Sequence, residues 1–293
     1  MQPQQALAAL LADAEQMQHA AVRSMEALAG GSINRVYKVE LSSGTTLVFK
    51  WNAAPPPGLF AAEADGLRTL QDARALRIPR VYAAGEHGIL LEWLPSVPQR
   101  GRELRSAGRE LGEGLAKLHR AYGTAYGYPR DNFIGTLPQG NSQSQSWTAF
   151  YRDHRLRPQL QLAERLGYLH ATRRRLAERL LDRLPRFIDE SAVRPSLLHG
   201  DLWAGNWLET PDGPALIDPA VYYGDREVDL AMAHLFGGFP RSFFESYAAH
   251  YPLAPGHEER RPIYQLYYLL VHLNLFGEAY GPQVDRVLVR YGG

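Results

Sequence analysis

The spacing of apolar residues divides the chain into a part with strand-like periods and a longer part with helical periods. Residues 4–19 are rich in Ala, Leu and Gln and repeat apolar positions near every 3.6 residues, which predicts a helix. Alternating patterns follow over about 34–39 and 45–51, and the Ser-Ser-Gly at 42–44 predicts the turn of a β-hairpin between them. After the prolines at 55–57, a helix is predicted over about 59–75, followed by strands over 80–85 and 88–94.

From residue 102 onward the apolar spacing is mostly helical. An apolar stripe of Leu104, Leu111, Leu115 and Leu118 opens this part, and helices are predicted over roughly 147–188, 227–236, 241–250 and 260–278. The pattern predicts an α+β fold in which a small, β-rich N-lobe (1–94) is joined by a hinge (95–101) to a larger, mainly helical C-lobe (102–293). This is a two-lobed arrangement, which leaves room for a small-molecule site in the cleft between the lobes.

Composition narrows the classes of function. The 293-residue chain has 45% hydrophobic and 22% charged residues, ordinary values for a globular protein, and it is long enough for two lobes. Its net charge of +1 offers no broad attraction to nucleic acid or to an anionic membrane. Because there is no cysteine, disulfides, cysteine-ligated zinc and thiol nucleophiles are excluded. Without a signal peptide or a membrane-spanning run, we expect a soluble, cytoplasmic protein that binds neither nucleic acid nor membrane.

One octapeptide carries the strongest chemical signal. Residues 199–206 read H-G-D-L-W-A-G-N, and the catalytic loop of protein kinases reads H-R-D-L-x-x-x-N, with the same offset from Asp to Asn. Asp201 is therefore the predicted catalytic base, which accepts the proton of the attacking hydroxyl, and a turn-capping Asp is the alternative. Asn206 and Asp218 offer hard oxygen ligands and are predicted to bind Mg²⁺. Asp218 follows the strand-like run 214–217, and a helix N-cap is the alternative for it.

The rarity of lysine makes the position of Lys50 informative. Lys50 ends an apolar strand, as does the kinase lysine that binds the α- and β-phosphates of ATP and pairs with a helix glutamate. Glu63 lies on the next predicted helix and is the matching glutamate. A lysine that only extends into solvent from the end of a strand is the alternative.

Further ATP contacts are predicted on either side of this pair. The Gly-Gly-Ser-Ile-Asn segment at 30–34 leads into the hairpin, and glycines let backbone N–H groups approach phosphate oxygens, so Gly31, Ser32 and Asn34 are predicted to cover the phosphates. A phosphate-binding loop of the G-x-x-x-x-G-K-[ST] type is absent. From position alone, 91–94 is the predicted hinge, where Glu92 and Leu94 would present backbone groups to adenine.

Two residues are predicted to support the catalytic loop. His199 would brace it through hydrogen bonds, and Asp229 would accept backbone N–H groups from it. A carboxylate at a helix N-terminus is an equally good interpretation of Asp229. The short interval between Asp218 and Asp229 leaves no room for a phosphorylatable activation loop, so we expect an enzyme that is active without phosphorylation.

These segments resemble the fructosamine kinases (ketosamine kinases), a family within the aminoglycoside-phosphotransferase-like kinases. The most specific similarity is H-G-D-L-W-x-G-N followed by I-D-P-A-V-Y-Y-G. The similar segments span nearly the whole chain and lie at 30–34, 132–135, 139–141, 153–156, 199–206, 217–224 and 232–239. The resemblance implies a kinase-like fold and the ATP- and Mg²⁺-dependent phosphorylation of a ketosamine sugar at its 3-hydroxyl. In this family that reaction makes the adduct unstable and so serves deglycation.

The resemblance leaves the preferred acceptor open. Bacterial members are similar to kinases of ribulosamines and erythrulosamines more than to kinases of fructosamines. The acceptor is then either a free or a protein-bound adduct. Eukaryotic relatives often carry a cysteine where this chain has Ser32, so their thiol-based control is not expected here.

Acceptor binding is predicted at Trp203, Asn132, Gln139 and Asn141, because an indole and amides suit a polyhydroxylated ligand. Arg155 also falls in a segment similar to the family's. For each of these residues, ordinary loop hydrogen bonding or core packing is an equally good interpretation.

Two other functions stay open at this point. A kinase of an aminoglycoside, choline or another sugar would use the same motifs, although 130–160 is rich in amides and arginines rather than in the carboxylates that attract a polycation. A pseudokinase would bind nucleotide without turnover, but Lys50, Glu63, Asp201, Asn206 and Asp218 are all present. The sequence does not decide between a monomer and a homodimer.

Overall fold

The computed structural model describes residues 1–17, 20–28, 33–97 and 101–293, with the backbone alone for 101–105. The chain opens with helix α1 (Pro3–Asp13), a 3₁₀ turn (Glu15–Met17) and strand β1 (Val22–Ala27). The next elements are β2 (Arg35–Leu41), β3 (Thr46–Trp51), α2 (Leu59–Asp72), β4 (Val81–Gly85) and β5 (Gly88–Glu92). These five strands form one antiparallel sheet in the order β1-β2-β3-β5-β4.

The first part of the chain follows the predicted pattern with two differences. The predicted hairpin is confirmed, since β2 and β3 pair with Tyr37 opposite Phe49. The first helix is shorter than predicted, because the backbone of Ala14 is extended and ends it. β1 was not predicted, because both of its ends are exposed and V-R-S-M-E-A shows no clear alternation between two faces.

Alternation along β3 separates a core face from a cleft face. Leu47, Phe49 and Trp51 pack with Leu10 of α1 in a small core on one side of the sheet. Successive side chains of a strand point to opposite faces, so Lys50 lies on the other side. That side faces α2, where the Lys50 side chain meets α2 through a hydrogen bond.

The second part of the chain is mainly helical, with short strands between its helices. The helices are α3 (Gly101–Leu118), α4 (Trp147–Phe150), α5 (Arg157–Arg165), α6 (Ala171–Arg183), α7 (Glu227–Leu235), α8 (Arg241–His250), α9 (His257–Phe276) and α10 (Gly281–Gly292). The strands are β6 (Asn132–Ile134), β7 (Leu137–Gln139), β8 (Ser196–Leu198), β9 (Trp207–Thr210), β10 (Gly213–Leu216) and β11 (Tyr222–Gly224). The predicted α+β class is confirmed.

The segment 147–188, predicted as long helices, is divided into shorter pieces. α4 continues into a π-helical turn (Tyr151–Leu156) before α5 begins. Gly167 follows the end of α5 and has a φ of +82°. Because that backbone conformation is unstrained for glycine alone, it is a common way to end a helix.

Two short strand pairs determine where the predicted catalytic and metal-binding residues lie. β8 pairs with β11 and β9 pairs with β10, in both cases antiparallel. Residues 199–206, the catalytic segment, connect β8 to β9, and residues 217–221, the metal segment, connect β10 to β11. Since the strands at both ends of one segment pair with the strands at both ends of the other, the two segments run side by side.

Helix α9 runs through the core of the helical part and reaches the catalytic segment. Leu266, Leu270 and Leu273 are fully buried along it. Tyr268 donates its hydroxyl to the backbone O of Gly200 at 2.8 Å. No helix in the described ranges has the length and apolar character needed to cross a membrane.

Candidate active site

A cavity of about 610 Å³ lies between the cleft face of the sheet, α2 and the two segments. This volume is within the range of about 300–1,000 Å³ that is typical of small-molecule sites. The residues that line it are Ile33, Asn34, Val36, Lys50, Leu59, Ala62, Glu63, Asn132, Phe133, Gly135, Asp201, Trp203, Gly205, Asn206, Asp218, Pro219 and Ala220. Eight of the sixteen predicted site residues are therefore brought to one place.

Lys50 lies in this cavity between two carboxylates. Its Nζ donates to Glu63 Oε1 at 2.6 Å and also contacts Asp218 Oδ1. Burial opposes the charged form of Lys50, but the charges of Asp218 and Glu63 outweigh it and raise the pKa of Lys50 above its usual value. The side chain therefore stays cationic at neutral pH, as contact with phosphate oxygens requires.

Asp201 and Asn206 contact each other within the catalytic segment. Asn206 Nδ2 donates to the backbone O of Asp201 at 2.9 Å and to its Oδ2 at 3.1 Å. Burial raises the pKa of Asp201 to about 7, with the charge of Asp218 adding to this shift and the hydrogen bond from Asn206 opposing it. A carboxyl group whose pKa lies near the working pH is well suited to take a proton from a hydroxyl.

Asn206 and Asp218 present oxygen atoms that suit a hard cation. The Asn206 amide nitrogen is occupied by Asp201 and, at 3.4 Å, by the backbone O of Asp218, which leaves Oδ1 available. Two such donors fit Mg²⁺, which keeps several waters and takes further ligands from substrate phosphates. A cluster of three or more His, Cys, Asp or Glu side chains suited to a metal is absent from the described part of the chain.

The backbone of Asp218 is unusual. Its φ of +55° lies in the left-handed region, which residues other than glycine seldom occupy. Such a conformation persists only where the surrounding structure holds it.

His199 connects the two segments through both ring nitrogens. Its Nε2 lies 2.9 Å from the backbone O of Ile217, and its Nδ1 accepts the N–H of Asp201 at 3.3 Å. A carbonyl oxygen only accepts and a backbone N–H only donates, so the ring is neutral with its proton on Nε2. Burial lowers the pKa of His199 although the charge of Asp229 acts in the other direction, which agrees with a neutral ring.

Asp229 contacts the start of the catalytic segment. Its Oδ2 accepts the N–H of His199 at 2.7 Å, and its Oδ1 accepts that of Gly200 at 2.9 Å. His119 Nε2 lies 3.1 Å from Asp229 Oδ2, and His119 Nδ1 lies 2.8 Å from the Tyr247 hydroxyl. Asp229 and His119 are fully buried. Sequence reasoning missed this use of His119, whose only signal was a polar residue at the end of an apolar stripe.

The backbone at position 200 requires glycine, which is why this loop reads H-G-D where protein kinases have H-R-D. The φ of Gly200 is +83°, and a Cβ at this position would lie 2.0 Å from the backbone O of Ala220. The N–H of Ala220 donates to the backbone O of His199 at 2.9 Å, so the two segments are held in contact here. No side chain fits between them.

The predicted phosphate-covering segment is described only from residue 33 onward. Asn34 lines the cavity, and its Oδ1 accepts from Asn52 Nδ2 at 3.1 Å. Asn52 Nδ2 also lies 3.3 Å from the backbone O of Ile33. Gly31 and Ser32 lie outside the described residues, so their contact with phosphate stays a prediction.

The predicted hinge residues are placed apart from the cavity lining. Glu92 pairs with Arg77 at 3.2 Å, and it accepts the N–H of Arg80 at 3.1 Å. Leu94 is buried. Their proposed backbone contacts with adenine also stay a prediction.

The four predicted acceptor residues divide into two groups. Trp203 is 42% exposed and lines the cavity. Asn132 also lines the cavity, but its side chain is buried. Gln139 and Asn141 are buried, do not line the cavity, and bond through their amides to other protein groups. The Asn132 amide is likewise bonded to other protein groups, so direct contact with an acceptor is favoured for Trp203 only.

The fold and the site together define a class of protein. An antiparallel sheet over a mainly helical part, with a Lys–Glu pair and an H-G-D-L loop lining one cavity, is the arrangement of a kinase-like phosphotransferase. The chain belongs to the fructosamine kinase family, whose model matches residues 3–291. The kinase-like fold and the family expected from the sequence are confirmed, as is the class of enzyme, a phosphotransferase that acts on a sugar hydroxyl.

The sequences of individual relatives align with this chain over most of their length. A probable ketoamine kinase of Enterococcus faecium is 39% identical over 267 residues, which cover 89% of this chain and 93% of the relative. The chloroplastic protein-ribulosamine 3-kinase of Arabidopsis thaliana is 35% identical, with 92% of this chain and 83% of the relative covered. A crystal structure from Thermobifida fusca YX-ER1, whose name refers to fructosamine-3-kinase, has a TM-score of 0.85 at 35% identity and covers 97% of this chain and 98% of that one.

Asp229→Asn is expected to lower the free energy of unfolding by about 1–3 kcal/mol. An amide offers one accepting oxygen where the carboxylate offers two, so one buried backbone N–H loses its partner. Urea unfolding measures the change, and Asp182→Asn, at an exposed position, is the matched control. Equal stability of the two variants would contradict the supporting role of Asp229.

Proposed function

We propose that this chain transfers the γ-phosphoryl group of ATP to the 3-hydroxyl of a ketosamine sugar, such as a ribulosamine, erythrulosamine or fructosamine adduct. Membership of the fructosamine kinase family supports the reaction class. The observation that carries the proposal is the position of Asp201, whose carboxyl group is half-buried in the wall of the cavity beside Asn206. Loss of solvation there raises its pKa to about 7. Ketosamines form when a reducing sugar glycates an amine, and 3-phosphorylation makes them unstable, so the proposed role is deglycation.

Asp201 is the proposed catalytic base. The acceptor hydroxyl attacks the γ-phosphorus while its proton passes to the Asp201 carboxylate. A new O–P bond forms, the bond to the β-phosphate oxygen breaks, and ADP leaves. The hydrogen bond from Asn206 Nδ2 to Asp201 Oδ2, at 3.1 Å, orients the carboxylate for this step.

Lys50, Asn206 and Asp218 form the proposed phosphate and metal subsite. Lys50 is cationic, and its pairing with Glu63 at 2.6 Å holds it in place for contact with phosphate oxygens. Asn206 Oδ1 and the Asp218 carboxylate would hold Mg²⁺, which neutralises the charge that develops on the transferred group.

Trp203 is the proposed wall of the acceptor site. It lies two residues from Asp201, and its ring packs over Gly205, where an added Cβ would meet the ring at 2.2 Å. An exposed indole face suits stacking on a sugar and attracts a cationic amine. Gln139 and Asn141 are left out of the proposed acceptor site because their amides are occupied within the protein.

The proposal is tested by Mg-ATP consumption with ribulosyl-lysine, erythrulosyl-lysine, fructosyl-lysine, choline and kanamycin as acceptors. We expect turnover on the ketosamines alone, and the relative kcat/KM values then rank the sugars. Turnover only on choline or kanamycin would assign a different small-molecule kinase. Nucleotide binding without turnover on any acceptor would favour the pseudokinase.

Asp201→Asn is expected to lower kcat about 10²–10⁴-fold, the usual contribution of general acid–base catalysis. The amide keeps the shape of the side chain but takes up no proton, so the KM for ATP should change little. Steady-state kinetics with the best acceptor measure both values. Wild-type turnover in a correctly folded variant would reject Asp201 as the base.

Trp203→Ala is expected to raise the KM of the acceptor about 3- to 10-fold, the scale of one lost aromatic contact. Trp203→Phe is the control, because it keeps a ring at the same position and should retain most of the affinity. Acceptor titrations at saturating Mg-ATP measure the effect. If the alanine variant kept the wild-type kcat and acceptor KM, Trp203 would not form the acceptor wall.

A further inference from the structure

Arg155 is a fully buried cation that the proposed reaction does not use. It lies on the π-helical turn Tyr151–Leu156, and helices of this kind are frequent at functional sites. Its guanidinium carbon lies 3.8 Å from the centre of the Tyr222 ring and 4.7 Å from that of Phe150. Burying a charge is costly unless it is compensated, so a buried arginine calls for an explanation.

The hydrogen-bond partners of Arg155 are neutral oxygens. Nη1 donates to the backbone O of Gly140 at 2.7 Å and to that of His154 at 2.9 Å. Nη2 donates to Asn141 Oδ1 at 2.7 Å. Hydrophobic packing alone would not require a hydrogen-bond donor at position 155. The bond from Arg155 to Asn141 is therefore the contact that points to a role for this arginine.

A chain of amides leads from Asn141 to the metal segment. Asn141 Nδ2 donates to Asn132 Oδ1 at 2.8 Å, and Asn132 Nδ2 donates to the backbone O of Val221 at 2.8 Å. All three side chains in this path, with Arg155 at its start, are buried. We call the path Arg155–Asn141–Asn132–Val221 the amide relay.

The direction of the amide relay is fixed at both ends. A guanidinium only donates, so the oxygen of Asn141 must face Arg155 and its nitrogen must face Asn132. The oxygen of Asn132 then accepts, and its nitrogen is left to donate to Val221, whose carbonyl only accepts. The backbone O of Arg130, which accepts from Asn141 Nδ2 at 3.0 Å, supports the same orientation. Without the donor at Arg155, Asn141 Oδ1 would lose that partner, and the path to Val221 would be held less firmly.

A second branch enters the amide relay from α9. The Tyr267 hydroxyl donates to Gln139 Oε1 at 2.7 Å. Gln139 Nε2 then donates to Asn132 Oδ1 at 2.8 Å and to the backbone O of Ala220 at 3.2 Å. The amides of Gln139 and Asn132 thus donate to the consecutive carbonyls of Ala220 and Val221 in the metal segment.

The carbonyls held in this way lie two and three residues after the proposed metal ligand. Ala220 and Val221 follow Asp218, whose left-handed backbone needs support from its surroundings. The N–H of Ala220 is held in turn by the backbone O of His199 at 2.9 Å. The amide relay and its second branch therefore hold the backbone of the metal segment at Ala220 and Val221, next to its contact with His199.

We propose that Arg155 is a positioning residue for Asp218, acting through Asn141 and Asn132 on the backbone of the metal segment. This inference rests on the proposed function, because it assigns Asp218 to the binding of Mg-ATP. It also gives Asn132, Gln139 and Asn141 a role other than contact with the acceptor. Arg155 itself does not line the cavity.

Asn141→Asp is the most informative variant. The new carboxylate keeps an oxygen facing Arg155 and adds an ion pair, so the fold should be retained, but the donor to Asn132 is lost. We expect a folded protein with a lowered thermal midpoint, because the new oxygen faces Asn132 Oδ1 and the backbone O of Arg130 where the amide nitrogen donated to both. We also expect a loss of about 10²-fold in kcat/KM for Mg-ATP, the scale of a 1 Å misplacement. The KM of the acceptor should stay unchanged, because Trp203 is not touched.

Arg155→Met tests the start of the amide relay, and Arg157→Met, at a half-exposed position on the next turn, is its matched control. We expect the first to weaken Mg-dependent binding of ATP and the second to leave it unchanged. If Arg155→Met does not fold, the nucleotide affinity of Asn141→Asp tests the positioning role instead. Tyr267→Phe removes a single hydroxyl from the second branch and serves as a third variant, with a smaller expected loss in the same direction.

Mg-dependent nucleotide binding by calorimetry provides a readout that needs no acceptor. If the wild-type protein binds Mg-ATP but phosphorylates no ketosamine, the proposed function is wrong. The role of the amide relay in nucleotide binding can still be tested in that case. Hydrogen exchange at the amide of Ala220 adds a second readout, which should quicken in Asn141→Asp. Folded Asn141→Asp and Tyr267→Phe with wild-type nucleotide affinity and exchange would overturn the positioning role.

Discussion

The site depends on the pairing of two chain segments at both of their ends. β8 and β11 contribute only three residues each and β9 and β10 four, so the ladders alone are short. Further hydrogen bonds extend them: Ile217 donates to the backbone O of Asn206 at 3.0 Å, and Ala220 donates to that of His199 at 2.9 Å. Because each bond joins one segment to the other, a displacement of either segment would move the predicted base and the predicted metal ligands together.

The charges in the cavity are unbalanced in a way that suits a metal-bound nucleotide. Among the described residues of the lining, Lys50 is the one cation, whereas Glu63, Asp201 and Asp218 carry carboxyl groups. A free polyphosphate would be repelled by this excess, but a phosphate that brings Mg²⁺ supplies the missing positive charge. Burial and, after it, the charge of Asp218 raise the pKa of Asp201. The Asp218 carboxylate therefore links the proposed base to the proposed metal subsite.

Short-range patterns predicted those features that depend on neighbours in the chain. The alternation around Lys50 predicted the β2–β3 hairpin, and the spacing from Asp201 to Asn206 indicated one loop that holds both side chains in the cavity. The strands β6 to β11 were missed except for the run near 214–217, because three or four residues are too few to establish a period. His119 was missed as well, since its partner Asp229 lies 110 residues away.

The sequence by itself determined which donors, acceptors and charges the chain carries, and its motifs determined the family. Only the tertiary structure decided how those groups are used. Gln139 and Asn141 have the chemistry of sugar-binding amides, yet Gln139 Nε2 meets the backbone of Ala220, 81 residues away, and Asn141 meets Arg155. The residue type fixes which hydrogen bonds a side chain can make. Which of them it does make depends on the partners that folding brings near. This is why the amides could be named in advance but their role could not.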